Sequence, residues 1–209
     1  MDYKDYDEMS GIAIDVFREI GNIGTGHAAT ALSSTLGSKI SMSLPEVNIL
    51  GYDQAIETLG GAEKVIAAVL VHMSGEVSGT MLYLMDLSLI QLILEKFGMP
   101  IIHSYREIDE MSTSAATEIA NIIIASYTNA ISQLGNVSIT LSVPSIAVNM
   151  LGGIMSVPMI EYGYVTDKIM MVGGKFIYNE ESLSSTLIML PEIQSLNFLL
   201  KRLGVTSHE

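Results

Sequence analysis

A polar pattern that recurs at a fixed spacing constrains this 209-residue chain more than any other feature. Asp15-Val-Phe-Arg-Glu19-Ile-Gly-Asn22 returns as Ser114-Ala-Ala-Thr-Glu118-Ile-Ala-Asn121, with all three polar positions displaced by 99 residues. Pro45 in SLPEV and Pro144 in SVPSI keep the same displacement. Later segments align at 106 residues: Gly79-Thr-Met-Leu-Tyr-Leu-Met with Ser185-Thr-Leu-Ile-Met-Leu-Pro, and Leu94-Glu-Lys-Phe-Gly98 with Leu200-Lys-Arg-Leu-Gly204. The second copy therefore carries seven extra residues, expected within 145–182. Self-similarity at a fixed period marks repeated supersecondary units, and here it predicts two halves, 10–100 and 107–205, within one domain spanning 10–205.

Each half reads in one order. A long amphipathic helix comes first, over 10–35 and again over 107–134, ended by Gly37 and Gly135. KISMSLPEVNIL and NVSITLSVPSIAV follow as strands. A proline near the middle of each predicts an edge position or a bulge, because proline cannot donate to a ladder. After a short segment of undecided structure comes a hairpin, AAVLVHM–SGEVSG–TMLYLM in one half and IMMVGGKFIY–NEESLSS–TLIML in the other. Closing helices are predicted over 87–97 and 192–203. The class is α+β with antiparallel pairing, and the halves are expected to pack about a pseudo-twofold axis, since one half alone leaves its sheet uncovered. Residues 1–9, acidic and polar, are read as a flexible head without a role.

Composition narrows the function. Hydrophobic residues make up 49% and charged residues 16%, enough apolar material to fill a core. No apolar run approaches the roughly 18 residues that cross a bilayer, and the N-terminus lacks a basic, apolar signal, so a cytoplasmic protein without a membrane span is expected. The formal net charge of −13 repels phosphate backbones and argues against nucleic acid. Absence of cysteine rules out disulfides, thiolate catalysis and Cys-ligated zinc.

An α-helix turns about 100° per residue, so positions i, i+4 and i+7 fall within an arc of about 60°. Asp15, Glu19 and Asn22 therefore share one face, and Ser114, Glu118 and Asn121 share another. Apolar neighbours (Ile12, Val16, Ile20, Ile23; Met111, Ala115, Ile119, Ile122) are expected to supply separate core stripes. An amide is no general base at neutral pH, but it can hold a water by donating and accepting hydrogen bonds. Orienting water for in-line attack on phosphorus is a task amides perform in some GTPases. A glutamate one turn earlier can pair with a cation on a partner. The set suits completing another protein's active site. Glu-x-x-Asn alone carries almost no information. The full pattern, Asp/Ser-x3-Glu-x2-Asn-x22-Pro, arises by chance on the order of 10⁻⁵ per start position at average residue usage.

With that pattern, the chain resembles the CheC family of chemotaxis phosphatases over 10–205. The resemblance implies hydrolysis of the aspartyl phosphate of a CheY-type response regulator. Asn22 and Asn121 would position the attacking water, and Glu19 and Glu118 would engage a lysine of the receiver. Asp15 and Ser114 would either tune the sites or merely cap or solvate the helices, while Pro45 and Pro144 would shape the adjacent strand. The chain would bind no cofactor of its own, because both the phosphoryl aspartate and Mg²⁺ would belong to the receiver. CheD is a further implied partner, and the internal pseudo-dimer makes a monomer the expectation. The rival reading is a non-catalytic CheD-binding regulator or a flagellar-switch-like scaffold.

Other signals are weaker. Gly21, Gly24 and Gly26 imitate part of a dinucleotide fingerprint, but no strand precedes them in a βαβ unit, and close helix packing or access to Asn22 explains them better. His27, His72, His103 and His208 lack ligand spacing, so no metal site is expected. The methionines are read as core gap-fillers.

Overall fold

The protein is described here by a computed structural model that covers residues 2–162, 167–179 and 181–205. His208 lies outside the described residues, as does part of the insertion in the second half. The chain opens with a 3-10 turn at Tyr6–Glu8, then helix α1 (Gly11–Thr35), strands β1 (Ser41–Met42) and β2 (Glu46–Gly51), and helix α2 (Tyr52–Thr58). Strands β3 (Val65–Gly75) and β4 (Gly79–Met85) and helix α3 (Leu87–Lys96) follow. A second 3-10 turn at Tyr105–Glu107 leads into α4 (Glu110–Gly135), β5 (Ile139–Leu141), β6 (Ser145–Met150) and α5 (Leu151–Tyr162). The chain closes with β7 (Lys168–Tyr178), β8 (Glu181–Pro191) and α6 (Ile193–Arg202). The α+β class expected from the sequence holds.

All strands join one antiparallel sheet in the order β1-β7-β8-β4-β3-β5, with β2 also on β7 and β6 also on β3. The two hairpins meet at its centre, where Leu82 faces Ile188 and Tyr83 faces Leu187. Each proline splits its strand in two, because a residue without an N–H interrupts the ladder. Both pieces stay in line: β1 and β2 line β7, while β5 and β6 line β3. The edge position predicted for the proline strands is therefore found. Each edge pairs with the hairpin from the other end of the sequence, an exchange that ties 41–51 to 168–177 and 139–150 to 65–75. Strand β4, flanked by β3 and β8, is buried along its whole length, as expected for a central strand in a packed core.

Several local expectations are corrected. Residues 2–9 are not a loose head. Tyr3, Tyr6 and Met9 are buried, the Tyr6 hydroxyl donates to the Pro191 carbonyl at 2.5 Å, and the Tyr3 N–H donates to Asn197 Oδ1 at 2.8 Å. The Asn197 amide returns a bond to the Tyr3 carbonyl at 2.8 Å, so the segment is sewn to α6. The undecided segments are helices α2 and α5, seven and twelve residues long, and α5 thereby takes up part of the insertion. The stretch expected to be a loop at 179–185 enters strand β8 at Glu181, with Ser182 opposite Ile177 and Ser184 opposite Lys175. The long helices also end differently from each other. Gly37 takes the left-handed conformation past α1, at φ 59°, whereas Gly135 remains helical and Asn136 makes the left-handed turn, at φ 48°.

Candidate functional site

Helices α1 and α4 pack on each other and share one pattern of burial. On α1 the buried residues are Ala13, Phe17, Ile20, Gly21, Gly24, Thr25, Ala28 and Leu32. Displaced by 99 residues, every one has a buried counterpart on α4: Ser112, Ala116, Ile119, Ala120, Ile123, Ile124, Tyr127 and Ile131. The same side of each helix thus faces the interior. This leaves Asp15, Glu19 and Asn22 exposed on α1, and Ser114 and Glu118 exposed on α4 with Asn121 half-buried beside them. The helical arithmetic that grouped these residues is therefore realised on two outward faces. One detail of it is corrected. Ile12 and Met111 do not join the core stripe but stand exposed on the polar faces, at 45% and 67% of their full area.

The start of each helix is fixed by a cap at the same displacement. Ser10 accepts from the Ala13 N–H at 3.2 Å, and Asp109 accepts from the Ser112 N–H at 2.8 Å and from the Ser112 hydroxyl at 2.7 Å. Those bonds, the backbone one foremost, hold the Asp109 carboxyl below the usual carboxylate pKa. Cap placement sets the rotation of the first turn and with it the direction of the polar stripe.

The crossing of the two helices is close. A Cβ on Gly24 would lie 2.9 Å from the Tyr127 ring and 3.0 Å from its Cα, so only glycine admits the approach. Thr25 and Tyr127 join their hydroxyls at 2.8 Å inside this contact, and burial raises the Tyr127 pKa. Gly21 has a similar duty toward the edge strand, since its Cβ would meet Pro45 Cγ at 2.9 Å. Pro45 is consequently buried against α1 one residue before Asn22. Pro144, the counterpart of Pro45 at the displacement of 99, is half-buried, and the counterpart of Gly21 is Ala120. The glycine run of α1 thus serves packing at two of its three positions, while Gly26 faces open space.

The faces differ in how their polar groups are engaged. On α1, Arg18 forms an ion pair with Asp15, and the Asn22 amide donates to Glu19 Oε2 at a long 3.5 Å. On α4 the counterpart of Arg18 is Thr117, whose hydroxyl turns back to the Thr113 carbonyl at 2.8 Å. Among the described residues, Ser114, Glu118 and Asn121 have no side-chain partner within the chain. Neither face joins a hydroxyl to a base: Ser114 is the hydroxyl of the second face, and its side chain has no partner among the described residues. A cleft lined by Leu44, Glu46, Lys64, Asp86 and Lys175 lies next to the first corner but includes neither Glu19 nor Asn22. No cluster of His, Asp and Glu suited to a metal ion occurs among the described residues, and no helix among them is long and apolar enough to cross a membrane. An exposed amide and carboxylate can orient a water and a cation only against a surface brought by another molecule.

Sequence reasoning missed the two corners ahead of the prolines. Ser43-Leu44-Pro45 and Ser142-Val143-Pro144 project the two most exposed large apolar side chains among the described residues, Leu44 at 80% and Val143 at 88%. The displacement of 99 could have drawn attention to them, but not to their exposure.

Comparison with known proteins places the chain in a family. A family model described as the CheC-like family matches residues 12–49, which include the first Glu-Asn face and Pro45, and one described as chemotaxis phosphatase CheX matches 66–157, which include the second. The chain is 32% identical over 198 residues to the CheY-P phosphatase CheC of Bacillus subtilis (strain 168), covering 92% of this chain and 94% of that protein. In three dimensions it is similar to Thermotoga maritima FliY, with a TM-score of 0.74 at 20% identity over 94% of this chain and 98% of the other. The FliM middle domain of H. pylori gives a TM-score of 0.67 at 16% identity, over 93% and 99% of the two chains. A CheC-like superfamily protein from Shewanella gives 0.54 at 13% identity, over 83% and 97%. The low identities of these structures make them relatives in fold alone.

Proposed function

The chain belongs to the CheC-like family, and from that premise we propose that it hydrolyses the aspartyl phosphate of a CheY-type response regulator at two helical sites. The observation that carries the proposal is the pair of exposed Glu-Asn faces on α1 and α4, set by buried stripes that match position for position. A packing role does not account for them, since the polar residues point away from the interior.

The receiver docks across one face and brings the phosphoryl aspartate together with its Mg²⁺, which supplies charge neutralisation at the phosphoryl oxygens. Glu19 or Glu118 pairs with a receiver lysine and fixes the register. Asn22 or Asn121 then holds a water, its carbonyl accepting from the water and its NH₂ donating, in line with the bond to be broken. The water oxygen bonds to phosphorus as the bond from phosphorus to the aspartyl oxygen breaks. The receiver regains its carboxylate, inorganic phosphate leaves, and the proton of the water departs with it. The protein contributes positioning and no covalent intermediate. Asp15 and Ser114 adjust the field at each face, and Pro45 and Pro144 hold the adjoining corners. A monomer in the cytoplasm, regulated by CheD, completes the proposal.

The second reading is a scaffold without catalysis, favoured by the fold shared with FliY and FliM. Phosphate release from a phosphorylated receiver in Mg²⁺ separates the two. The native chain should accelerate release well beyond the receiver's own decay, and an Asn22→Ala plus Asn121→Ala variant with an unchanged circular dichroism spectrum should not. Absence of acceleration by the native chain on its cognate receiver, with or without CheD, gives the scaffold precedence.

A further inference from the structure

Beside the first Glu-Asn face the structure places an exposed apolar residue on a rigid corner, and the second half has the counterpart of that corner at the displacement of 99. Ser43 is clamped to β7 from both sides: its N–H donates to the Lys175 carbonyl at 2.9 Å, and its hydroxyl accepts from the Lys175 N–H at 2.9 Å. Ser142 makes the same clamp on β3, donating to the His72 carbonyl at 2.9 Å and accepting from the His72 N–H at 3.0 Å. One residue further, Leu44 and Val143 stand 80% and 88% exposed. The next residue is proline in both corners, which biases its predecessor to extended backbone. In the first corner that proline is also wedged against Gly21, one residue from Asn22. Leu44 is thus held between two fixed points, Val143 follows a clamped serine and precedes a proline, and both stand outward.

A second apolar residue stands on each helix face. At about 100° per residue, Ile12 lies within about 20° of Glu19 around the helix axis, and Met111 bears the same relation to Glu118. Both are exposed. The first polar site is therefore flanked by one apolar side chain from the helix and one from the corner, and the second has the counterpart of each at the displacement of 99.

We propose that Leu44 and Val143, supported by Ile12 and Met111, are the apolar docking residues that seat the phosphorylated receiver on each site. The proposal rests on the phosphatase reading for its occupant. A phosphorylated receiver is chosen over a second copy of this chain because these residues rim the faces on which Glu19, Asn22, Glu118 and Asn121 must stay open. Charge supports the choice. A chain of net charge −13 gains no long-range attraction to a phosphoryl group, so beyond the pairing of glutamate with lysine the affinity rests on short-range contact, which exposed apolar side chains supply. Rigid presentation suits that task, because little freedom is lost when an already fixed side chain is covered.

The test uses a Leu44→Ser plus Val143→Ser variant of the full chain. Its affinity for a receiver activated with beryllofluoride is measured first, and phosphate release is then followed against receiver concentration. Kd and KM should rise about 10-fold or more, while kcat at saturating receiver stays within about twofold, the signature of lost binding that ground state and transition state share. Replacing the same residues with methionine should restore most of the affinity. Unchanged affinity in the serine variant overturns the proposal, as does a fall in kcat at constant KM. If the native chain binds the activated receiver without hydrolysing its phosphate and the serine variant binds more weakly, the docking surface stands and the phosphatase reading falls. If the native chain does not bind the receiver, the docking surface falls. Should sedimentation show native self-association that the serine variant loses while receiver affinity is unchanged, the corners are dimer contacts and the proposal is overturned.

Discussion

The face of α1 and the face of α4 carry glutamate and asparagine in the same places, yet on the first these polar groups are engaged within the chain and on the second they are open. Asp15 is engaged by Arg18 and Glu19 by the Asn22 amide, whereas Ser114, Glu118 and Asn121 have no partner within the described chain. Asn22 is exposed and Asn121 half-buried. A half-buried amide is confined to fewer rotamers, and a carboxylate without an internal donor gives up no hydrogen bond when it pairs with a cation from outside. The comparison teaches that a duplicated site need not be duplicated in readiness. Identical polar residues acquire different availability from their neighbours, here Arg18 against Thr117 and Gly21 against Ala120.

The largest expected effect separates the asparagines. Asn121→Ala should remove the greater share of phosphatase activity, with kcat/KM falling about 10-fold, and Asn22→Ala should cost only about a tenth of it, because the surviving site sets what remains. Single-turnover phosphate release from one receiver preparation decides it. Equal losses, or a larger loss at Asn22, would show that the internal bonds of the first face do not restrain it.

Packing beneath the faces differs next. Gly24→Ala forces a methyl against the Tyr127 backbone, which cannot rotate away, and should destabilise the fold by about 1–3 kcal/mol in urea denaturation. Tyr127→Phe should cost about 1 kcal/mol by leaving the buried Thr25 hydroxyl without its partner. Gly21→Ala meets only a proline ring and should cost about 1 kcal/mol, yet it should reduce activity at the first site because Pro45 has to move away from Asn22. Ala120→Gly, its mirror, should cost about 1 kcal/mol of helix propensity and leave the second site's activity intact. An Asn121→Ala background isolates the first site for this measurement. Undiminished activity of Gly21→Ala in that background would remove Pro45 from any part in shaping the site.

Much of this asymmetry was invisible in the sequence, for definable reasons. The recurrence at 99 residues located both long helices to within a few residues and put Glu19 with Asn22, and Glu118 with Asn121, on common faces, since helical phase is a local property. Pro45 and Pro144 revealed edge strands because a missing N–H has one consequence wherever it occurs. The exchange that sets β1 and β2 on β7, and β5 and β6 on β3, depends on pairing across more than a hundred residues in one case, and no local pattern encodes it. Ile12 and Met111 were assigned to the core because hydrophobicity was taken as burial, and only packing shows on which side of the stripe each falls. The acidic character of residues 2–9 concealed Tyr3, Tyr6 and Met9, whose spacing of three is the spacing of a 3-10 turn and was the available signal.

The smallest predicted difference lies at the caps, where the two faces can be compared by pH. Ser10 caps α1 with a neutral hydroxyl, and Asp109 caps α4 with a carboxylate whose pKa is lowered chiefly by the Ser112 N–H. A carboxyl group with a folded pKa below its unfolded value contributes stability above the unfolded pKa and loses that contribution as pH falls through the folded one. Asp109→Ser should therefore be less stable than the native chain near neutrality, and the gap should close as pH falls below the ordinary carboxylate range. Ser10→Ala should lower stability by an amount that stays flat over the same range, because nothing at that cap titrates. Ser10→Asp should convert the first helix to the behaviour of the second, gaining stability near neutrality and losing the gain in acid. Denaturant midpoints at neutral and acid pH read all three. A pH-independent Asp109→Ser effect would mean that the charge of the carboxylate contributes nothing at this terminus, and that Asp109 caps α4 only as Ser10 caps α1.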